Sequence, residues 1–141
     1  MKLKYLFFIS LSFLNFSCRK YTDEQRGSQA FIRIKSCVDK LVDSNTIRLC
    51  FDELIEDSRC PKGGVCIWQG VARARFSITA NGEYHWFELS TLNMPTTFRN
   101  ATVSYRIDTL ISGYKIKLVN ITPFPGESNS IAKAELEITG Q

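Results

Sequence analysis

Two runs of this chain, AFIRIKSCVDKLV and TIRLCFDEL, alternate apolar and polar residues, and each carries one cysteine. In the first, Ile32, Ile34 and Val38 share one face, with Phe31, Arg33, Lys35, Cys37 and Asp39 on the other. In the second, Ile47, Leu49 and Phe51 oppose Arg48, Cys50 and Asp52. A period of two is the mark of half-buried strands. Placing Cys37 opposite Cys50 puts Lys35 against Asp52, Asp39 against Arg48 and Val38 against Leu49, so charges and apolar pairs match together. A slip of one residue would turn the apolar set outward. The turn falls around Asp43, Ser44 and Asn45. Opposed strand positions lie within disulfide reach, so the register predicts a Cys37–Cys50 bridge and leaves Cys60–Cys66 as the second.

The remaining sequence continues the pattern. FSITANGEYHWFEL holds Asn81-Gly82, a strong two-residue hairpin signal. That turn sets Phe76 opposite Phe87 and Ala74 opposite Leu89 inside, with Arg75 facing Glu88 outside and His85 across from Ile78, facing inward. A further turn at Ser112-Gly113 pairs Ile107 with Leu118 and Asp108 with Lys117. The last run points Ala132, Ala134, Leu136 and Ile138 inward. Seven strands, an eighth short one around residues 96–99, and no amphipathic helix predict an all-β fold: a small closed antiparallel β-barrel of seven to eight strands. Up-and-down order is the simplest topology, and a five-stranded Greek-key (OB-like) barrel is the alternative. Large Phe76, Phe87, Tyr105, Tyr114 and Trp68 beside small Ala72 and Ala74 suit a filled interior rather than a ligand cavity.

The N-terminus reads MKLKYLFFISLSFLNFSC. Two lysines precede an apolar run too short for the ~20 residues that span a bilayer, the pattern of a secretory signal. Ser17-Cys18 at its end resembles a bacterial lipobox, whose cysteine is lipidated and becomes the first mature residue. The chain has five cysteines, so committing Cys18 to lipid leaves an even four for an oxidising compartment. Simple cleavage with Cys18 left as a thiol is the alternative. The expected organisation is a signal peptide at 1–17, a polar lipid-anchored tether at 18–28 and one β-barrel domain at 29–141. Asp23 and Glu24 in the tether resemble the acidic signals that send such lipoproteins to the outer face of the outer membrane. The periplasmic face is the alternative location. Without Lys2 and Lys4 the 18 basic and 14 acidic residues nearly balance, and no basic stripe argues for nucleic acid.

Catalytic readings lack parts. The single histidine cannot build a two-histidine zinc motif, and a lone base needs partners in reach. Gly63-Gly64 lacks the spacing of a phosphate loop, and the four remaining cysteines lack zinc-finger spacing. Asp52-Glu53 and Glu56-Asp57 would need a cleft with opposed walls to serve as a glycosidase pair. The expectation is a protein that is no enzyme, with no metal or cofactor.

The most distinctive stretch is EDSRCPKGGVCIWQG. A short ring closed by Cys60 and Cys66 carries Pro61, with fixed φ, then Lys62 at its tip, Gly63, Gly64 and Val65. A segment ordered beforehand loses little entropy on binding, which is how a peptidase inhibitor presents itself to a cleft. Lys62 is the candidate anchor for a trypsin-like pocket, and Arg59 the alternative anchor just outside the ring. On a purely structural reading, Arg59 pairs with Asp57, the bridge fixes a corner and Trp68 plugs the barrel's end. Long connections supply further candidate contacts at Met94, Phe98 and Phe124, unless these pack over the open end.

Asp-Ser-Arg-Cys-Pro followed by Cys-x-Trp-x-Gly is similar to a pattern in small lipoproteins of Bacteroidetes, and SGYKIKLVNITPFP looks like its second half. Size, anchoring and architecture are similar to those of the potempins, outer-membrane lipoproteins that inhibit secreted peptidases with compact β-barrels. The resemblance implies a lipid-anchored inhibitor whose partner is a secreted peptidase; Lys62 at the ring's tip favours the serine class, and a monomer is expected. A non-inhibitory lipoprotein that binds glycan, peptide or a neighbouring membrane protein is the alternative.

Overall fold

A computed structural model describes residues 28–93, 105–127 and 130–141. Among the described residues there are eight strands and no helix. They are β1 (Ser28–Arg33), β2 (Ser36–Val42), β3 (Asn45–Asp57), β4 (Ala72–Ala80), β5 (Glu83–Ser90), β6 (Asp108–Ile111), β7 (Tyr114–Thr122) and β8 (Lys133–Gly140). Two four-stranded antiparallel sheets result, ordered β1-β8-β7-β6 and β2-β3-β4-β5.

The predicted registers are present. Cys37 opposes Cys50, Val38 opposes Leu49 and Asp39 opposes Arg48. Phe76 opposes Phe87, Ala74 opposes Leu89, Arg75 opposes Glu88 and Ile78 opposes His85. Asp108 faces Lys117, and the Leu118 amide donates to the Ile107 carbonyl. Each hairpin turns through two residues of positive φ: Asp43-Ser44, Asn81-Gly82 and Ser112-Gly113. That geometry matches the right-handed twist of the flanking strands.

The barrel does not close. The run expected as one strand breaks at Lys35, whose φ is 62°. Before the break, β1 pairs with β8; after it, β2 pairs with β3. The Ser36 hydroxyl donates to the Arg33 carbonyl at 2.6 Å across this corner. Lys35 therefore leaves the ladder, its amide bonded to the Phe51 carbonyl, and the expected Lys35–Asp52 pairing does not form. On the far side β5 and β6 share no ladder, and Ser90 N–H donates to the carbonyl of Arg106, just before β6, at 2.8 Å. A long connection there, rather than a tight turn, leaves the two edges unladdered. Neither the up-and-down barrel nor the five-stranded alternative describes this arrangement of eight strands in two sheets.

Both sheets bury their apolar faces in one core that holds Ile32, Ile47, Leu49, Phe51, Phe76, Ile78, Phe87, Leu89, Ile116, Leu118, Leu136 and Ile138. Phe51, Phe76 and Phe87 form a row with centroids 5.1 and 5.9 Å apart. Burying each such side chain contributes roughly 1.5–3 kcal/mol. Three expectations about the interior are corrected. Trp68 plugs nothing and stands 72% exposed. Tyr105 is only half-buried, beneath the guanidinium of Arg73 at 5.7 Å. His85 lies on the inner face of β5, but toward its open end, so its side chain is 42% exposed and meets Glu83 at 3.3 Å.

The ends of the molecule are set by register. Ser28 opposes Ile138, as does Ile116, whereas Arg33 and Thr122 both oppose Lys133. At ~3.4 Å per residue, the six residues of β1 hold its two ends roughly 17 Å apart. The chain enters at one end, and the connections after β7 and before β8 lie at the other. The expected eighth strand at 96–99 and the segment preceding residue 28 lie outside the described residues.

Candidate functional site

The connection between β3 and β4 begins as a hairpin and then leaves the ladder. Ser58 N–H donates to the Val71 carbonyl at 2.9 Å, and Cys60 N–H to the Gln69 carbonyl at 3.1 Å. The Ser58 hydroxyl adds a contact with each of the Val71 backbone groups at 3.1 Å. Gly70 makes this narrow neck possible. Its φ is +68°, and a Cβ there would lie 1.9 Å from the Ser58 carbonyl oxygen.

Beyond the neck the Cys60–Cys66 bridge closes the ring, with Cα atoms 5.9 Å apart. Inside it Gly64 N–H donates to the Pro61 carbonyl at 2.9 Å, with Gly63 at φ +79°. That is the pattern of a type II turn, with Lys62 and Gly63 as its central residues. All nine residues 61–69 are exposed. Lys62 is indeed at the tip, Val65 and Ile67 are fully solvated, and Trp68 is largely so.

Arg59 supports this loop from below. The side chain expected as an alternative surface anchor is buried at 6% exposure. Its Nε and Nη2 donate to the two carboxylate oxygens of Asp57 at 2.8 and 2.7 Å. Nη1 donates to the Ile121 carbonyl and Nη2 to the Pro123 carbonyl at 3.2 Å. The Phe124 ring covers the guanidinium at 4.2 Å. A planar fork with five donors suits this mixed set of carboxylate and carbonyls, which one ammonium could not satisfy. Phe124 is thus half-buried as a lid rather than free as a rim contact.

A second tie joins the ring to the segment after β7. Lys62 Nζ meets Glu127 Oε1 at 2.7 Å, while Glu127 Oε2 accepts from Phe124 N–H at 2.7 Å. The hydrogen bond from Lys62 and then that from the Phe124 amide hold the Glu127 carboxyl below its ordinary value of 4.5. The same carboxylate raises the Lys62 ammonium above its ordinary 10.5. A groove of about 230 Å³ runs beside the neck, between Gly70 and Phe124.

The structure therefore brings together Arg59, Lys62 and Phe124, sets Pro61 beside Gly126, and leaves Val65 projecting with Ile67 and Trp68. Met94, Phe98 and Cys18 lie outside the described residues. Glu127 is the contributor that a search for anchors overlooks, whereas the Arg59–Asp57 pair of the structural reading is present. The acidic residue after Pro125-Gly126 was the available signal for it. Among the described residues, no three His, Cys, Asp or Glu side chains are grouped to hold a metal ion. Comparison with protein-family models, curated proteins and solved structures found no match.

Proposed function

We propose that this protein is a lipid-anchored binding module of the outer membrane whose stapled loop inhibits a secreted peptidase. One observation carries the reading: nine consecutive exposed residues, five of them closed into a ring by the disulfide, follow directly on a buried arginine. Such a loop offers a cleft an ordered backbone with little entropy left to lose. Lys62 enters a basic-specific pocket after releasing Glu127, an exposed ion pair of small worth. Lipid at Cys18 fits the same picture, because the chain enters β1 at the end of the sandwich away from residues 122–127 and the ring they brace. The loop then faces outward from the membrane.

The test is residual activity. Residues 26–141 are incubated with a panel of serine and metallopeptidases, including any encoded beside this protein. Inhibition of a trypsin-like member that is relieved by Lys62→Ala supports the reading. An unaffected panel rejects it. Exposed Val65, Ile67 and Trp68 favour one second reading, a non-inhibitory contact with a neighbouring outer-membrane protein. Co-purification from membranes that is lost on Trp68→Ala, with every peptidase unaffected, would select it.

A further inference from the structure

Beside the ring, residues 124–127 repeat its turn. Glu127 N–H donates to the Phe124 carbonyl at 3.1 Å and Gly126 has a φ of +79°, again the type II pattern, with Pro125 ahead of the glycine. The two turns lie against each other, because a Cβ on Gly126 would stand 3.6 Å from the Pro61 Cβ. This packing fixes the Glu127 carboxylate. Its Oε2 accepts from Phe124 N–H at 2.7 Å, which leaves Oε1 for the Lys62 ammonium at 2.7 Å. The two partners are unequally held. The Glu127 side chain is 24% exposed and tied to the backbone of its own turn, whereas that of Lys62 is 76% exposed on a flexible four-carbon stem. Among the described residues no other carboxylate pairs with Lys62. A peptidase pocket that takes a basic side chain sets a carboxylate on the same ammonium. In the free protein Glu127 stands where that group would act.

We propose that Glu127 is an autoinhibitory latch on the stapled loop: it occupies the Lys62 ammonium, and only the molecules whose latch is open are competent to be bound. This inference rests on the peptidase-inhibitor reading. Opening the latch does not undo the loop. Glu127 keeps its bond from Phe124 N–H, and the disulfide and Arg59 hold the ring as before. The apparent affinity is the intrinsic one reduced by the competent fraction. For a pair this exposed that fraction is roughly a third, so the latch tempers binding without preventing it. The fraction belongs to the free protein and knows nothing of the target. Every peptidase therefore loses affinity by the same factor, and their rank order is unchanged. A Glu127 that touched the peptidase itself would act differently on each.

The full-length chain and its Glu127→Gln variant are compared as inhibitors of each trypsin-like peptidase that the parent inhibits. Glu127→Gln should tighten inhibition about threefold, by one factor common to all of them. In about 1 M salt, where the Debye length is about 3 Å, parent and variant should converge. Glu83→Gln removes the same charge at the far end of the β2-β3-β4-β5 sheet, where Glu83 opposes Ala80, and should change nothing. With no peptidase present, Lys62 of the Glu127→Gln variant should react faster with an amine-acylating ester, read by peptide mass, since the carboxylate that keeps its ammonium protonated is gone. Circular dichroism confirms that each variant is folded. Inhibition relieved by Lys62→Ala yet equal in parent and Glu127→Gln overturns the latch and leaves the peptidase reading standing. An unchanged acylation rate overturns it as well. Weaker inhibition by the variant would make Glu127 a guide for Lys62, and a factor that differs between enzymes would make it a direct contact; either result overturns the proposal. A panel that the parent leaves fully active removes the peptidase reading, and this inference with it.

Discussion

Two hairpins of this molecule are each closed by a disulfide, and they use it differently. Cys37–Cys50 spans β2 and β3 at a Cα separation of 4.0 Å, inside a ladder of seven opposed pairs with a two-residue turn. Cys60–Cys66 closes a ring with no strand pairing, attached through two backbone hydrogen bonds at its neck. In the first hairpin the ladder, the turn and the apolar face of β3 already define the shape, and the bridge adds stability to it. In the second, the bridge and the Arg59 anchor define the shape themselves. A cross-link inside regular structure is a stability device, whereas one around an exposed loop is a means of presenting it.

The sharpest way to break this contrast is to remove the anchor. Arg59→Ala leaves Asp57 and two carbonyls without their donor, and losing one partner of a buried pair costs about 3–5 kcal/mol. Chemical denaturation should show that loss, and a change within 0.5 kcal/mol would mean that the loop does not depend on its buried arginine. Next comes the pair Cys37→Ser with Cys50→Ser. A closed loop of this length contributes about 3 kcal/mol. Amide exchange should nevertheless find β2 and β3 paired as before, and loss of protection there would show that the ladder needs the bridge.

Cys60→Ser with Cys66→Ser should cost less, about 2 kcal/mol for the shorter ring. Its local effect should be larger, with cleavage after Lys62 by a low dose of trypsin accelerated roughly tenfold or more as the ring opens. Equal cleavage rates with and without the bridge would remove its presenting role.

The smallest effect concerns the Lys62–Glu127 tie. Glu127 has a depressed folded value, so its contribution is present above 4.5 and is lost as pH falls through that lower value. Lys62 has a raised value, so its contribution is present below 10.5 and is lost as pH rises through the raised one. The tie should hold between these limits, with the unfolding midpoint unaltered by Glu127→Gln. Nuclear magnetic resonance of the Gly64 amide should shift below pH 4.5 in the parent chain and stay constant in that variant. A titrating Gly64 signal in both would detach the ring from Glu127.

Much of the fold can be read without coordinates because its rules are local. A period of two decides which side chains share a face, and Asn81-Gly82 or Ser112-Gly113 decides a register within two residues of itself. Matching charges across a hairpin then select one pairing, and both disulfides follow. Alternation reports a side, however, and says nothing about which sheet that side belongs to. The division of β1 from β2 at Lys35 came from the tertiary structure, since one left-handed residue redirects a strand without disturbing its pattern. Arg59 likewise could be read as an anchor beside the ring or as the partner of Asp57, and only Ile121 and Pro123, more than 60 residues away, supplied the carbonyls that complete its burial. Trp68 could not be placed by hydrophobicity alone. Large apolar side chains move inward only where another layer exists to cover them, and the packing of the two sheets decides where that layer ends.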